Sequence, residues 1–178
     1  SQKGQKKLVA FGEIGLDYHY DFSPKKDQKA IFLYQLEAAC EMNLPVIIHS
    51  REAYDDTLKI LDDNIEYTKN GILVHCYTGT LDYAQEILKR GFFLSFGGAI
   101  TYKNNHIAYE VLHNISLKNV VLETDCPYLT PVPYRGKVNE PKYINLVAQK
   151  IAEWKGVSVT EIEDITTKNA FRFFNRME

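Results

Sequence analysis

The sequence predicts an α/β protein, part of an eight-stranded (β/α) barrel, on three observations. Short apolar runs alternate with stretches of helical periodicity, which implies parallel strands joined by right-handed crossovers. The runs are apolar on consecutive residues, as strands buried on both faces are. Several end in side chains able to bind a metal, and chemistry at the C-terminal ends of several strands suits a barrel. Five such units also fit an open doubly wound sheet. No G-x-G-x-x-G or P-loop is present, so a nucleotide-binding sheet is disfavoured.

The elements follow in order. Leu8–Phe11 is the first predicted strand and leads into F-G-E-I-G-L-D-Y, with Glu13 placed where the chain leaves the sheet. Ser23 and Pro24 read as an N-cap and a first helical position. The helix after them carries Leu33, Leu36 and Cys40 on one face, and Pro45 ends it. Val46–Ile48 is the second strand, ending in His49, with Ser50 as a cap for a helix through Leu58 and Leu61. Ile72–Val74 is the third, ending in His75. A helix over Leu81–Arg90 stops at Gly91. Phe92–Phe96 is the fourth strand, Asn104–Asn114 a helix, and Val120–Leu122 the fifth strand, followed by Glu123 and Asp125. The proline-rich stretch Cys126–Pro141 is a long loop, and such loops are often functional. Ile144, Val147, Ala148 and Ile151 mark a helix. Ser158–Glu161 is a capping box that opens another, and Asn169–Arg176 finishes the chain.

The 178 residues read as a single domain, 1–178, with 45% apolar and 25% charged residues. The net charge of −2 provides no global basic footprint for nucleic acid, so any phosphate contact has to be local. No apolar run is long enough to suggest a membrane span, and no signal peptide is visible. Cys40, Cys76 and Cys126 form no C-x-x-C pair, which points to a reducing, cytoplasmic compartment. Cys76 and Cys126 read as small packing residues.

Parallel strands bring Glu13, His49, His75 and Asp125 to one face. Imidazole and carboxylate ligands suit Zn²⁺, Mn²⁺ or similar divalent ions. Glu13 could bridge two cations, since each of its oxygens can take one, as two-metal hydrolysis requires. Each histidine alone could equally be a hydrogen-bonded structural residue. Arg51, Arg135, Lys137 and Asn139 could reach a phosphate or could be solvated loop residues. Glu123, on the same side of its strand as Asp125, is either an inward partner of the site or an internal polar residue. His106 and His113 read as surface residues, and His19 stays open.

G-E-I-G-L-D-Y, I-I-H-S-R, V-H-C-Y-T-G, L-E-T-D-C-P-Y-L and R-G-K-V-N-E-P, in this order, resemble the TatD family of metal-dependent hydrolases. The resemblance runs from Leu8 to the terminal N-A-F-R-F-F. It implies a TIM-type barrel and a divalent-metal-dependent deoxyribonuclease using two ions of Zn, Mg or Mn. It implies Glu13 as the bridging carboxylate, with His49 and His75 on one ion. Asp125 would sit on the other ion and help to activate the water, and Arg135 and Asn139 would border the substrate cleft. DNA is the implied substrate, with no membrane partner.

The family's opening H-x-H motif is absent from this sequence, which also begins with Ser rather than Met. A full barrel needs roughly 250 residues, so five of eight strand–helix units are expected here. At least one ion, on Glu13, His49 and His75, is expected. Open edges at Leu8–Phe11 and Val120–Leu122 would favour self-association or binding of the missing N-terminal segment. Hydrolysis of another ester or amide, and an inactive metal-binding remnant or interaction module, are the alternative functions.

Overall fold

A computed structural model describes residues 8–20 and 22–177; the Ser1 start read above lies outside them. Two compact units divide the chain. One runs to His75 and includes the C-terminal residues from Phe171, and the other is Cys76–Ala170.

The first unit contains β1 (Phe11–Asp17), α1 (Lys25–Glu41), β2 (Val46–Arg51), α2 (Tyr54–Asp63) and β3 (Ile72–Val74). β2 lies between β1 and β3 and is parallel to both. Gly15 stands opposite His49, Asp17 opposite Arg51, and Ile48 opposite Val74. Ile14, Leu16, Ile48 and Val74 are buried from this sheet, and Phe32 and Leu36 are buried from α1, which packs on β1.

Four expectations change in this unit. Pro24, not Ser23, is the N-cap of α1, and no side chain caps the helix. β1 begins at Phe11, where the strand was expected to end, so Glu13 lies within the strand rather than beyond it. The buried face of α1 is Phe32, Leu36 and Ala39, an i, i+4, i+7 stripe. Leu33 is exposed and Cys40 only half-buried, because each is one position around from that stripe. Ser50 does not cap α2. β2 continues to Arg51, and the Ser50 hydroxyl is buried within 3.0 Å of the Thr57 hydroxyl.

The second unit contains α3 (Leu81–Lys89), β4 (Phe93–Phe96), α4 (His106–Asn114), β5 (Val120–Leu122), α5 (Ile144–Lys155) and α6 (Val159–Phe173) up to Ala170. β4 and β5 are parallel, with Leu94 opposite Val120. Asn105 caps α4 by accepting from the Ala108 N–H, and Ser158 accepts from the Glu161 N–H at the start of α6. α6 is continuous, so Asn169 lies inside it. Its buried amide donates to the carbonyls of Leu117 and Val120 at 2.7 Å each, tying the helix to the entry of β5. No helix among the described residues is long and apolar enough to cross a membrane.

Candidate metal centre

Two glycines allow β1 to lie close against β2. Gly12 has φ +154° and Gly15 φ +140°, conformations that favour glycine. A Cβ on Gly12 would come within 2.7 Å of the Ile47 carbonyl oxygen, and one on Gly15 would run into the carbonyl oxygen of His49. The β1–β2 register shifts between Phe11 and Ile14, so the pairing is irregular across Gly12 and Glu13. Beyond it the strand alternates. Ile14 and Leu16 are buried, while Glu13, Gly15 and Asp17 share the more open face. Along β2, His49 and Arg51 share the less buried face. His75 follows β3 directly, and its N–H continues the ladder to the Ile48 carbonyl at 2.9 Å.

These placements bring Glu13, His49 and His75 together, with one ligand atom of each lying within 4.8 Å of the others. The His75 Nε2 is 2.5 Å from the Glu13 Oε2 and 3.2 Å from the His49 Nδ1. The hydrogen bond from His75 is the main reason that the Glu13 carboxyl is held below its usual range. Burial opposes this, and the nearby imidazoles add to it. Two imidazole nitrogens and a carboxylate oxygen form a donor set for a divalent ion of the Zn²⁺ or Mn²⁺ type.

Sequence reasoning missed one residue here. The Asp17 Oδ2 is 2.8 Å from the His49 Nε2, on the opposite side of the ring from His75. The Asp17 Oδ1 accepts from the backbone N–H groups of His19 and Tyr20, at 3.0 Å each. Burial alone would raise the Asp17 carboxyl, but these hydrogen bonds from Tyr20, His49 and His19 hold it below the ordinary value. The available signal was the even spacing from Glu13, which puts Asp17 on the same face once the strand is known to continue.

The other expected site residues lie as follows. The Arg51 guanidinium sits 5.0 Å over the Tyr20 ring. His19 is exposed and paired with Glu52 at 2.8 Å. In the second unit, Asp125 follows β5, has φ +54° and accepts from the Tyr128 N–H through its carbonyl. Glu123 continues the β5 ladder through its N–H to the Phe96 carbonyl. Arg135 is exposed, with its guanidinium 4.2 Å over the Tyr102 ring. Asn139 is buried rather than open to a cleft. Its amide donates to the carbonyls of Thr124 and Tyr128 at 2.6 Å each. Cys126 is exposed, not a packing residue, because it opens a surface loop. His106 and His113 are exposed, the latter stacked on Tyr109.

Comparison with known proteins matches residues 2–175 to the TatD related DNases. An uncharacterized metal-dependent hydrolase, YabD from Bacillus subtilis (strain 168), is 49% identical over 94% of this chain and 66% of its own length. The 3'-5' ssDNA/RNA exonuclease TatD of Citrobacter rodentium is 35% identical over 94% of this chain and 65% of its own. The crystal structure of YjjV, a TatD homolog from Escherichia coli K12, superposes with a TM-score of 0.88 at 30% identity, covering 98% of this chain and 68% of that one. The chain thus spans about two thirds of the length of the curated relatives it matches. The fold is of the TIM-type α/β class that the sequence predicts, represented here by five strands. The chain belongs to the TatD family of metal-dependent hydrolases.

Proposed function

We propose that this chain carries the metal-binding part of a divalent-metal-dependent phosphodiesterase that cleaves DNA. The observation that carries this reading is the convergence of Glu13, His49 and His75 from three adjacent strands. A divalent ion such as Zn²⁺, Mg²⁺ or Mn²⁺ would supply positive charge for a phosphoryl oxygen and a lowered pKa for a water. Glu13 and the two imidazoles hold the ion. Asp125 belongs to the same reading as the carboxylate on a second ion and as an aid to water activation.

Two features support nucleic acid over another ester or amide. One relative carries the name of a single-stranded DNA and RNA exonuclease. In addition, the loop after β1 exposes a stacked pair, Tyr20 and Phe22, with ring centroids 5.2 Å apart, and the Arg51 guanidinium lies over Tyr20. Exposed aromatic faces beside a cation suit bases that stack and a backbone that carries phosphate. Arg135 over Tyr102 repeats the pairing in the second unit. Exposed apolar side chains on α1, Ile31 and Tyr34, support association with a further segment or a second copy.

The test is nucleotide release from a labelled single-stranded oligonucleotide in Mg²⁺ or Mn²⁺. The enzyme is a polypeptide bearing this chain behind an H-x-H segment. Release that stops with chelator and with Glu13→Gln is expected. Turnover of generic esters without nucleotide release would favour a different hydrolase, and no turnover at all would favour an inert remnant.

A further inference from the structure

We infer that Asp17 is a positioning residue that sets the tautomer of His49 and so presents its Nδ1 to the metal. This rests on the metal centre proposed above and adds a residue outside the ligand set. A carboxylate only accepts, so the 2.8 Å contact between the Asp17 Oδ2 and the His49 Nε2 requires the ring proton on Nε2. In the neutral ring, the form that binds a metal, this leaves a lone pair on Nδ1, the atom facing His75 at 3.2 Å in the cluster with Glu13. Metal-binding histidines commonly donate their second ring N–H to a carboxylate, which fixes the ring and makes it a better ligand.

The other half of the carboxylate is engaged as well. The Asp17 Oδ1 accepts from the backbone N–H groups of His19 and Tyr20, so rotating Asp17 would give up two hydrogen bonds. The backbone arrangement that carries Asp17 is equally tight. Its Cα stands opposite that of Arg51, two residues beyond the His49 it orients, and Gly15 stands opposite His49 itself. One side chain therefore fixes the loop after β1 with one oxygen and a metal ligand with the other.

Asp17→Asn discriminates this role from a structural one. The two backbone N–H groups favour the amide oxygen over the amide NH₂ at the Oδ1 position. The amide nitrogen then faces the His49 Nε2, and as a donor it forces Nε2 to accept. The ring proton moves to Nδ1, where it blocks the metal. The loop contacts survive, and only the tautomer is reversed.

The experiment combines two measurements on the chain and its variants. Zn²⁺ affinity is read by competition with a chromophoric chelator, and ring ¹⁵N shifts of the metal-free protein report the His49 tautomer. Wild type is expected to show Nε2–H. Asp17→Asn is expected to show Nδ1–H and to bind Zn²⁺ about 10- to 100-fold more weakly, with the metal-free melting temperature only slightly lowered by loss of the carboxylate's charge. Asp17→Glu, which keeps the carboxylate, is expected to retain Nε2–H and to recover part of the affinity. Nδ1–H in the wild-type chain would overturn the inference, and this reading does not depend on any variant folding. Asp17→Asn binding Zn²⁺ as tightly as wild type would overturn it alone. A wild-type chain that binds no Zn²⁺ would overturn the metal centre and this inference with it.

Discussion

The Glu13 Oε2 and the His75 Nε2 meet at 2.5 Å, although the two residues come from β1 and from the end of β3, with β2 between them. The contact is a short carboxylate–imidazole hydrogen bond, and it holds together two side chains that could serve one ion. Glu13→Gln keeps the shape and removes the charge. Stoichiometric binding of Zn²⁺ or Mn²⁺, measured by metal analysis after loading and desalting, is expected to be lost. The Glu13 side chain is 53% exposed, so the metal-free fold is expected to keep its melting temperature. An ion retained at full stoichiometry in Glu13→Gln would remove Glu13 from the site.

Gly15 offers a stability test of the same geometry. Its φ of +140° and the His49 carbonyl against its face leave no room for a side chain. Gly15→Ala is expected to cost about 1–3 kcal/mol from backbone strain alone, with more from the displaced strand. The denaturant midpoint measures this. Metal affinity should fall as well, because the carbonyl that must shift belongs to His49. A variant with an unchanged midpoint would mean that β1 and β2 lie further apart than described.

Much of this site was legible in sequence, for a reason that also explains what was missed. His75 and the bounds of β3 and β5 follow from short β-branched runs with polar residues after them. Glu13, His49 and His75 were grouped because parallel strands bring successive ends together. The extent of β1 was not legible. Gly12 and Gly15 suit a chain leaving the sheet at Glu13, whereas here they let one strand press against another, and that partner is not encoded locally. Asp17 was lost with the strand that carries it. The resemblance places Asn139 at the border of a cleft, and only its partners, Thr124 and Tyr128, reveal a buried brace.

Tyr18 gives a pH dependence of known sign. Its hydroxyl donates to the Asp56 Oδ2 at 2.6 Å, and Asp56 also takes the Lys29 ammonium at 2.6 Å. Burial, followed by the hydrogen bond to Asp56 and the Asp56 charge, raises the Tyr18 phenol above its ordinary value. A raised folded-state pKa means that the stabilisation is complete below the unfolded value of about 10 and is lost as pH climbs through the folded one. The melting temperature is therefore expected to decline above about pH 10, and Tyr18→Phe should flatten that decline. Equal slopes in the two proteins would count against the pair.

Asn139 holds the turn that carries Asp125. Its side-chain NH₂ donates to the Thr124 and Tyr128 carbonyls, and its Oδ1 accepts from the Glu140 N–H. Asn139→Ala removes two hydrogen bonds to partly buried carbonyls and is expected to cost about 1 kcal/mol or more. Asn139→Asp should be worse, since it sets a carboxylate against two carbonyls. Hydrogen exchange across residues 124–128 would report the loosening locally. Unchanged protection there in Asn139→Ala would show that the turn stands without it.

The exposed pair Tyr20 and Phe22 tests the nucleic-acid reading without requiring catalysis. Tyr20 is 47% exposed and Phe22 88%, their rings lie within 8° of parallel, and neither lies in the buried core. Removing either ring should therefore leave the fold intact while deleting a stacking surface. Base–aromatic stacking contributes roughly 1–3 kcal/mol per base, so Tyr20→Ala or Phe22→Ala is expected to weaken binding of a fluorescent single-stranded oligonucleotide by about 5- to 150-fold. The measurement is anisotropy in the presence of chelator, which keeps the oligonucleotide uncut. Arg51→Gln should lower the slope of log affinity against log salt, because it removes a positive charge beside the stack. If all three variants bind as wild type does, the strand does not pass over this loop.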